Sequence, residues 1–303
     1  MKVPKAAALL GVVLAFGCRA EEANGEPRAS APAPATDAPP PIDARPSTPS
    51  AGRTVASRFE VPPGFRRVDA EPGSFAAFSR RLPMKPPGAP VVDYRGRTLH
   101  ADHDGVAGVV DIDVGTRDLQ QCADAVIRMN AEWRYDRGER DVTYRAASGT
   151  TLSYRAWLAG DRAVLASGAL SPRRAASPRA DSHAAYREWL DEVFTWANTA
   201  SLERDGVRVA LARVAPGDFF VEKGVPIGHA VLVLDVAKDA SGKTALLLGQ
   251  SFMPAQSFHV LRPSRRAAWF VVDETTTEVA TPFWTPFAVG SLRRLPAPAH
   301  RSP

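Results

Sequence analysis

Cysteine is almost missing from this chain of 303 residues: there are two, Cys18 and Cys122, and Cys18 ends an apolar N-terminal run. That count excludes a disulfide within a folded body that holds Cys122 alone, and no paired-cysteine spacing exists to build a zinc ribbon. Lysine is also scarce, so the formal charge of +5 rests on arginine. The arginines come as scattered pairs, such as Arg173-Arg174, Arg265-Arg266 and Arg293-Arg294. They form no stripe interleaved with aromatics, and a nucleic-acid partner is not expected. No glycine-rich phosphate loop, no G-x-S-x-G elbow and no internal repeat is visible, so nothing points to a nucleotide, a serine nucleophile or a cofactor. The apolar run at residues 6–16 falls short of the roughly 20 residues that cross a bilayer.

What is present begins with Lys2 and Lys5, that apolar run, and Gly17-Cys18. A charged start, a short apolar centre and a small residue at the end have the layout of a secretory signal over residues 1–18. The Gly-Cys ending resembles a bacterial lipoprotein signal. The resemblance implies that Cys18 becomes the acylated first residue and that a lipid anchor ties the protein to a membrane of the cell envelope. Arg19, in place of Asp, resembles the default for outer-membrane sorting; plain secretion is the alternative. Residues 19–58 hold eight prolines and no aromatic residue. Such a stretch buries too little apolar surface to fold and reads as a disordered tether.

Residues 59–303 are expected to form a single α+β domain, with its elements ending near Leu295. Helices are predicted over 74–82, 115–135 and 182–198, the first behind Ser74 and the last behind an Asp181-Ser182 cap. Strands are predicted at 91–94, 105–114, 143–144, 151–158 and 163–170, with a loop at 171–181. A second group of strands follows at 219–222, 229–237, 244–252, 257–261, 268–272 and 277–281. Asp239-Ala240-Ser241-Gly242 suits a tight hairpin between two of them. Helices in the first half and antiparallel strands in the second define the α+β class.

The chemistry gathers at Cys122. On a helix over 115–135, Leu119, Cys122, Val126, Met129 and Trp133 fall on one stripe, with Asp118 and Gln121 as a capping box. The cysteine then lies near a helix N-terminus, whose partial positive charge favours a thiolate nucleophile. A lone cysteine on an apolar stripe is also an ordinary small core residue, and both readings stay open. Downstream, His229 opens a strand and Gln250 lies on the return strand. His229 would serve as base, Gln250 would orient its ring, and the amides of Gln120 or Gln121 would hold an oxyanion beside the Cys122 N–H. Gln256, beyond Met253-Pro254, would line a cleft with Gln121. His100-Ala101-Asp102-His103-Asp104 lacks a distant third ligand, so no metal is expected. His259 and His300 belong to no motif. Asp235 lies about 20 Å along the strand from His229, too far to pair with it except from a bend.

Gly217-Asp218-Phe219-Phe220 followed by Gly228-His229-Ala230-Val231-Leu232-Val233 resembles a pattern of papain-like (NlpC-like) amidases and cell-wall peptidases. The resemblance implies a papain-like arrangement: a Cys-bearing helix packed on an antiparallel sheet, with Cys122, His229 and Gln250 in that order and a cell-wall peptide as substrate. A longer set of motifs is similar to an uncharacterised family of bacterial envelope lipoproteins, catalogued as domain of unknown function 4846. It comprises residues 118–125, Gly217-Asp218, Gly228-His229-Ala230, residues 235–237, residues 250–256 and Trp284. Three functions remain in view: a thiol hydrolase or amidase acting on peptide or peptidoglycan-like amides, a non-catalytic binding module, and a structural envelope lipoprotein.

Overall fold

The hairpin predicted around Asp239-Ala240-Ser241-Gly242 is the centre of the fold. In a computed structural model, which describes residues 53–224 and 227–296, it pairs the two longest strands of a nine-stranded antiparallel sheet. Asp239 Oδ1 accepts from the N–H groups of Ser241 and Lys243 at 2.9 and 2.8 Å, and Gly242 takes the positive φ that closes the turn. In chain order the sheet strands are β1 Arg66–Arg67, β2 Val106–Val109, β3 Val207–Arg208, β4 Phe219–Glu222, β5 His229–Lys238, β6 Thr244–Gln250, β7 His259–Leu261, β8 Phe270–Val272 and β9 Leu292–Arg294. The spatial order is β2-β7-β6-β5-β4-β9-β3, with β1 on the far end of β5 and β8 on the far end of β6.

β5 and β6 are buried on both faces, which explains their nearly continuous apolar runs. Ala230, Leu232, Leu234, Ala245 and Leu247 join a large core with the helices. Val231, Val233, Val236, Leu246 and Leu248 join a second cluster with Phe220, Phe270 and Phe287. The register shifts between Val233 and Asp235, so the alternation resumes one residue late. At that bulge the buried Asp235 carboxylate takes Arg67 and Arg80, each at 2.7 Å. Those two arginines answer what Asp235 does; it does not pair with His229.

Six helices accompany the sheet among the described residues: α1 Val55–Arg58, α2 Phe75–Arg81, α3 Cys122–Asp136, α4 Tyr154–Leu158, α5 His183–Trp196 and α6 Thr199–Asp205. Ser74 and Ser182 cap α2 and α5 as expected, accepting from Ala77 N and Ala185 N at 3.1 Å each. Tyr186, Trp189, Leu190 and Val193 bury one face of α5, with Tyr186 and Trp189 packed on Tyr154.

The structure departs from the sequence reading in several places, among them α6, which the pattern did not predict, and the strand expected at 105–114, of which only Val106–Val109 forms. The folded chain begins before Phe59: Thr54 caps α1, and Val55 is fully buried, so the last residues of the expected tether are packed. Residues 151–158 are a short strand, Thr151–Ser153, followed by α4, because Ser153 accepts from Ala156 N and starts a helix. The expected strand at 163–170 and loop at 171–181 are instead a hairpin, Asp161–Ala166 with Ala169–Arg174, turning at Ser167 and Gly168 with positive φ. Residues 115–121 are not helical, for reasons that belong to the site. The proposed signal segment, Cys18 and His300 lie outside the described residues. No helix among the described residues is long and apolar enough to cross a membrane.

Candidate functional site

Cys122 is the first residue of α3, closer to the helix end than expected. Asp118 does not cap the helix. Its Oδ1 accepts from Ala255 N at 2.7 Å and Gln121 Nε2 at 3.0 Å, tying the preceding loop to the turn after β6. Gln121 is the N-cap residue, and its backbone N–H donates to Asp124 Oδ2 at 3.2 Å. Gln120 is buried. Its Oε1 accepts from Arg128 at 2.8 Å, its Nε2 donates to Asp113 O at 3.2 Å, and its C=O accepts from Ser251 Oγ at 3.0 Å. Both glutamine side chains hold the helix start, each through one N–H of its amide. Of the predicted stripe, Cys122, Val126 and Met129 are buried on α3, Trp133 is half-buried and Leu119 precedes the helix. Asp124 and Arg128 are buried as well, so the first half of α3 is enclosed all round.

The thiol lies against the leading end of β5, with Sγ 3.8 Å from Gly228 O. The N–H groups of Ala123, Ala230 and Cys122 draw its pKa down, but burial first and then the Asp124 carboxylate outweigh them. The result is a thiol pushed up to about 11, the reverse of the thiolate expected at a helix N-terminus. The macrodipole effect is small beside the desolvation of an enclosed sulfur.

His229 and Gln250 meet as predicted. His229 Nε2 is 2.8 Å from Gln250 Oε1, and both residues are buried. Burial holds the imidazole down to about 4, against which the Gln250 bond acts. Its Nδ1 is buried with no hydrogen-bond partner. The ring packs on Phe252 at 4.8 Å, Trp284 at 5.0 Å and Phe287 at 5.9 Å between centroids. Phe287 belongs to the second cluster, whereas α3 packs in the first. The helix and the ring thus lie on opposite faces of the sheet, with the thiol against the residue that precedes β5. No hydrogen bond joins the thiol to the imidazole. Gln256 is buried, with its backbone N–H and C=O both on Ser251 Oγ, and no hydrogen bond links its side chain to Cys122, His229 or Gln250.

Sequence reasoning missed His259. It is fully buried in β7, directly opposite Gln250, with Nδ1 3.0 Å from Ser257 O and Nε2 3.4 Å from Gln250 Nε2. A third polar residue at the head of a strand pairing with the Gln250 strand was the available signal. Trp284, which the family motifs single out, covers the His229 ring and donates from Nε1 to Glu222 at 3.2 Å. His100 and His103 stack on Phe283, and the described residues contain no group of His, Cys, Asp and Glu able to hold a metal. Asp218 is a turn residue, accepting from Ala215 N and bound by Arg294.

Fold and site together define a mixed α/β protein whose antiparallel sheet carries a buried histidine–glutamine pair beside a helix-borne cysteine. The chain belongs to the family described as Domain of unknown function (4846), whose model matches residues 55–294. No curated protein and no solved structure matches it.

Proposed function

We propose that this protein is a cysteine hydrolase or amidase of the bacterial cell envelope, acting on peptide or peptidoglycan-like amide bonds. The observation that carries the reading is the state of His229. Its Nε2 is fixed on Gln250 and its Nδ1 is buried and bare, while the Cys122 thiol touches the carbonyl of Gly228, the residue before His229 in the chain. A buried acceptor without a partner costs about 1–3 kcal/mol, and a base awaiting a proton is a use for it. The order cysteine, histidine, glutamine is also that of the papain-like amidases the sequence resembles. With thiol and imidazole both neutral at rest, the reaction begins by proton transfer rather than from a preformed ion pair. The reaction requires the two side chains to meet round the start of β5: Cys122 Sγ bonds to the amide carbon as its proton passes to His229 Nδ1. The C–N bond then breaks as that proton moves to the departing amine, and water hydrolyses the thioester. The Cys122 backbone N–H, with the second N–H of the Gln120 or Gln121 amide, would supply the donors for the oxyanion. Trp284 and Phe252 must swing aside to admit substrate.

Cleavage of peptidoglycan fragments, read by mass spectrometry of the released amine, is the test. Cys122→Ala and His229→Ala should each lose at least about 10³-fold of the rate. Equal cleavage by wild type and His229→Ala rules the reading out. A non-catalytic binding module is the second reading, favoured by the enclosed, protonated thiol and its lack of a bond to the ring. Binding of fragments without cleavage by wild type would select it.

The lipid anchor belongs to the same proposal. Metabolic labelling with a fatty acid should mark the full chain and be lost in Cys18→Ser. Labelling that survives this change would place the modification elsewhere, and none in wild type would leave secretion.

A further inference from the structure

His259 stands behind the His229–Gln250 pair and gives it a direction. The Ser257 carbonyl can only accept, so His259 Nδ1, 3.0 Å away, carries the hydrogen. Burial holds this ring down to about 4, so it is neutral at neutral pH, and its Nε2 presents a bare lone pair. That lone pair faces Gln250 across 3.4 Å and requires the N–H side of the amide. The carbonyl side then faces His229, where Oε1 accepts from Nε2–H at 2.8 Å. A hydrogen on Nε2 leaves His229 Nδ1 without one, as a base must be. The opposite amide orientation would set Oε1 against the His259 lone pair and aim an N–H of Gln250 at His229, forcing the hydrogen onto Nδ1. Bulk solvent does not reach the cluster to relieve the conflict, because Ser257, His259 and His229 are fully buried and Gln250 is 1% exposed.

We propose that His259 is a positioning residue: through Gln250 it fixes His229 as the Nε2–H tautomer and keeps Nδ1 free as the base. The purpose of this relay rests on the hydrolase reading; the tautomers themselves do not. A carbonyl acceptor of fixed polarity, Ser257 O, thus sets the protonation of a ring across two intervening residues, His259 and Gln250.

Nitrogen-15 spectra of the histidine rings in the full chain test it, with assignments from single His→Asn variants. In wild type at pH 7, His259 should show Nδ1–H and His229 Nε2–H, each as a single tautomer. In His259→Phe, Gln250 is free to rotate, and His229 should become a mixture of both tautomers. In His259→Gln, whose Oε1 can take the Gln250 N–H, the single tautomer should return. Finding His259 as Nε2–H, or His229 as Nδ1–H, in wild type overturns the proposal without any variant, should His259→Phe not fold. So does an unchanged His229 in a folded His259→Phe protein. Failure of the hydrolase reading looks different: no amide cleavage, with the wild-type tautomers as stated.

Discussion

Iodoacetamide should modify Cys122 about a hundredfold more slowly at pH 7 than it modifies a free thiol. The thiolate is the reacting species, and each pKa unit removes tenfold of it near neutrality. Burial, with Asp124 second, lifts this thiol from its ordinary 9.0 to about 11. The sign follows directly: the rate should climb tenfold per pH unit until the pH nears 11, instead of levelling near 9. Burial also pushes the Asp124 carboxyl well above its ordinary value, so Asp124→Asn should speed the reaction only where Asp124 has ionised. Peptide mapping that reads Cys122 separately from Cys18 is the measurement. Labelling at the free-thiol rate would mean that the sulfur is more open, or more ionised, than its enclosure by α3 and β5 allows. The hydrolase proposal has to accommodate this silence. It asks for a thiol activated by His229 in the presence of substrate, not a resting thiolate.

Asp235→Ala should destabilise the fold by about 3 kcal/mol, the lower end of what breaking a buried ion pair costs. The carboxylate is fully enclosed, whereas the Arg67 and Arg80 side chains keep 26% and 15% exposure and recover some hydration when it is gone. The loss is more than electrostatic. Arg67 also donates to Ala56 O, and Arg80 to Val68 O, so one carboxylate gathers the N-terminal segment, β1 and α2 against the bulge in β5. Asp235 Oδ1 further accepts from Val236 N at 2.9 Å, fixing the bulge itself. Asp235→Asn keeps an acceptor and should cost less. Urea unfolding measures both, and a change below about 1 kcal/mol for Asp235→Ala would show that the two arginines do not depend on it.

The β5–β6 hairpin was readable because its information is local: apolar runs of the right length around an Asp-Ala-Ser-Gly turn. The caps of α2 and α5 were readable for the same reason. The start of α3 was misjudged because Asp118, a good cap in isolation, has a stronger claim on it from Ala255, far along the chain. The hairpin at Asp161–Ala166 and Ala169–Arg174 was hidden because Arg- and Pro-containing residues resemble a loop when one side faces water. Asp235 looked like a distant candidate partner for His229, since nothing in its sequence neighbourhood announces Arg67 and Arg80.

By itself, the sequence determined the α+β class and the antiparallel hairpin. Tertiary structure decided the rest. The bulge between Val233 and Asp235, held by Arg67 and Arg80, shifts the register by one residue and so puts Gln250 on the same face as His229. Enclosure between α3 and β5 set the thiol's protonation against the helix dipole, because desolvation is collective and the dipole acts over one turn. It also brought His259 opposite Gln250 and sent Gln120 and Gln121 to structural partners. Those outcomes depend on what surrounds a side chain from several elements at once, and no local pattern encodes them.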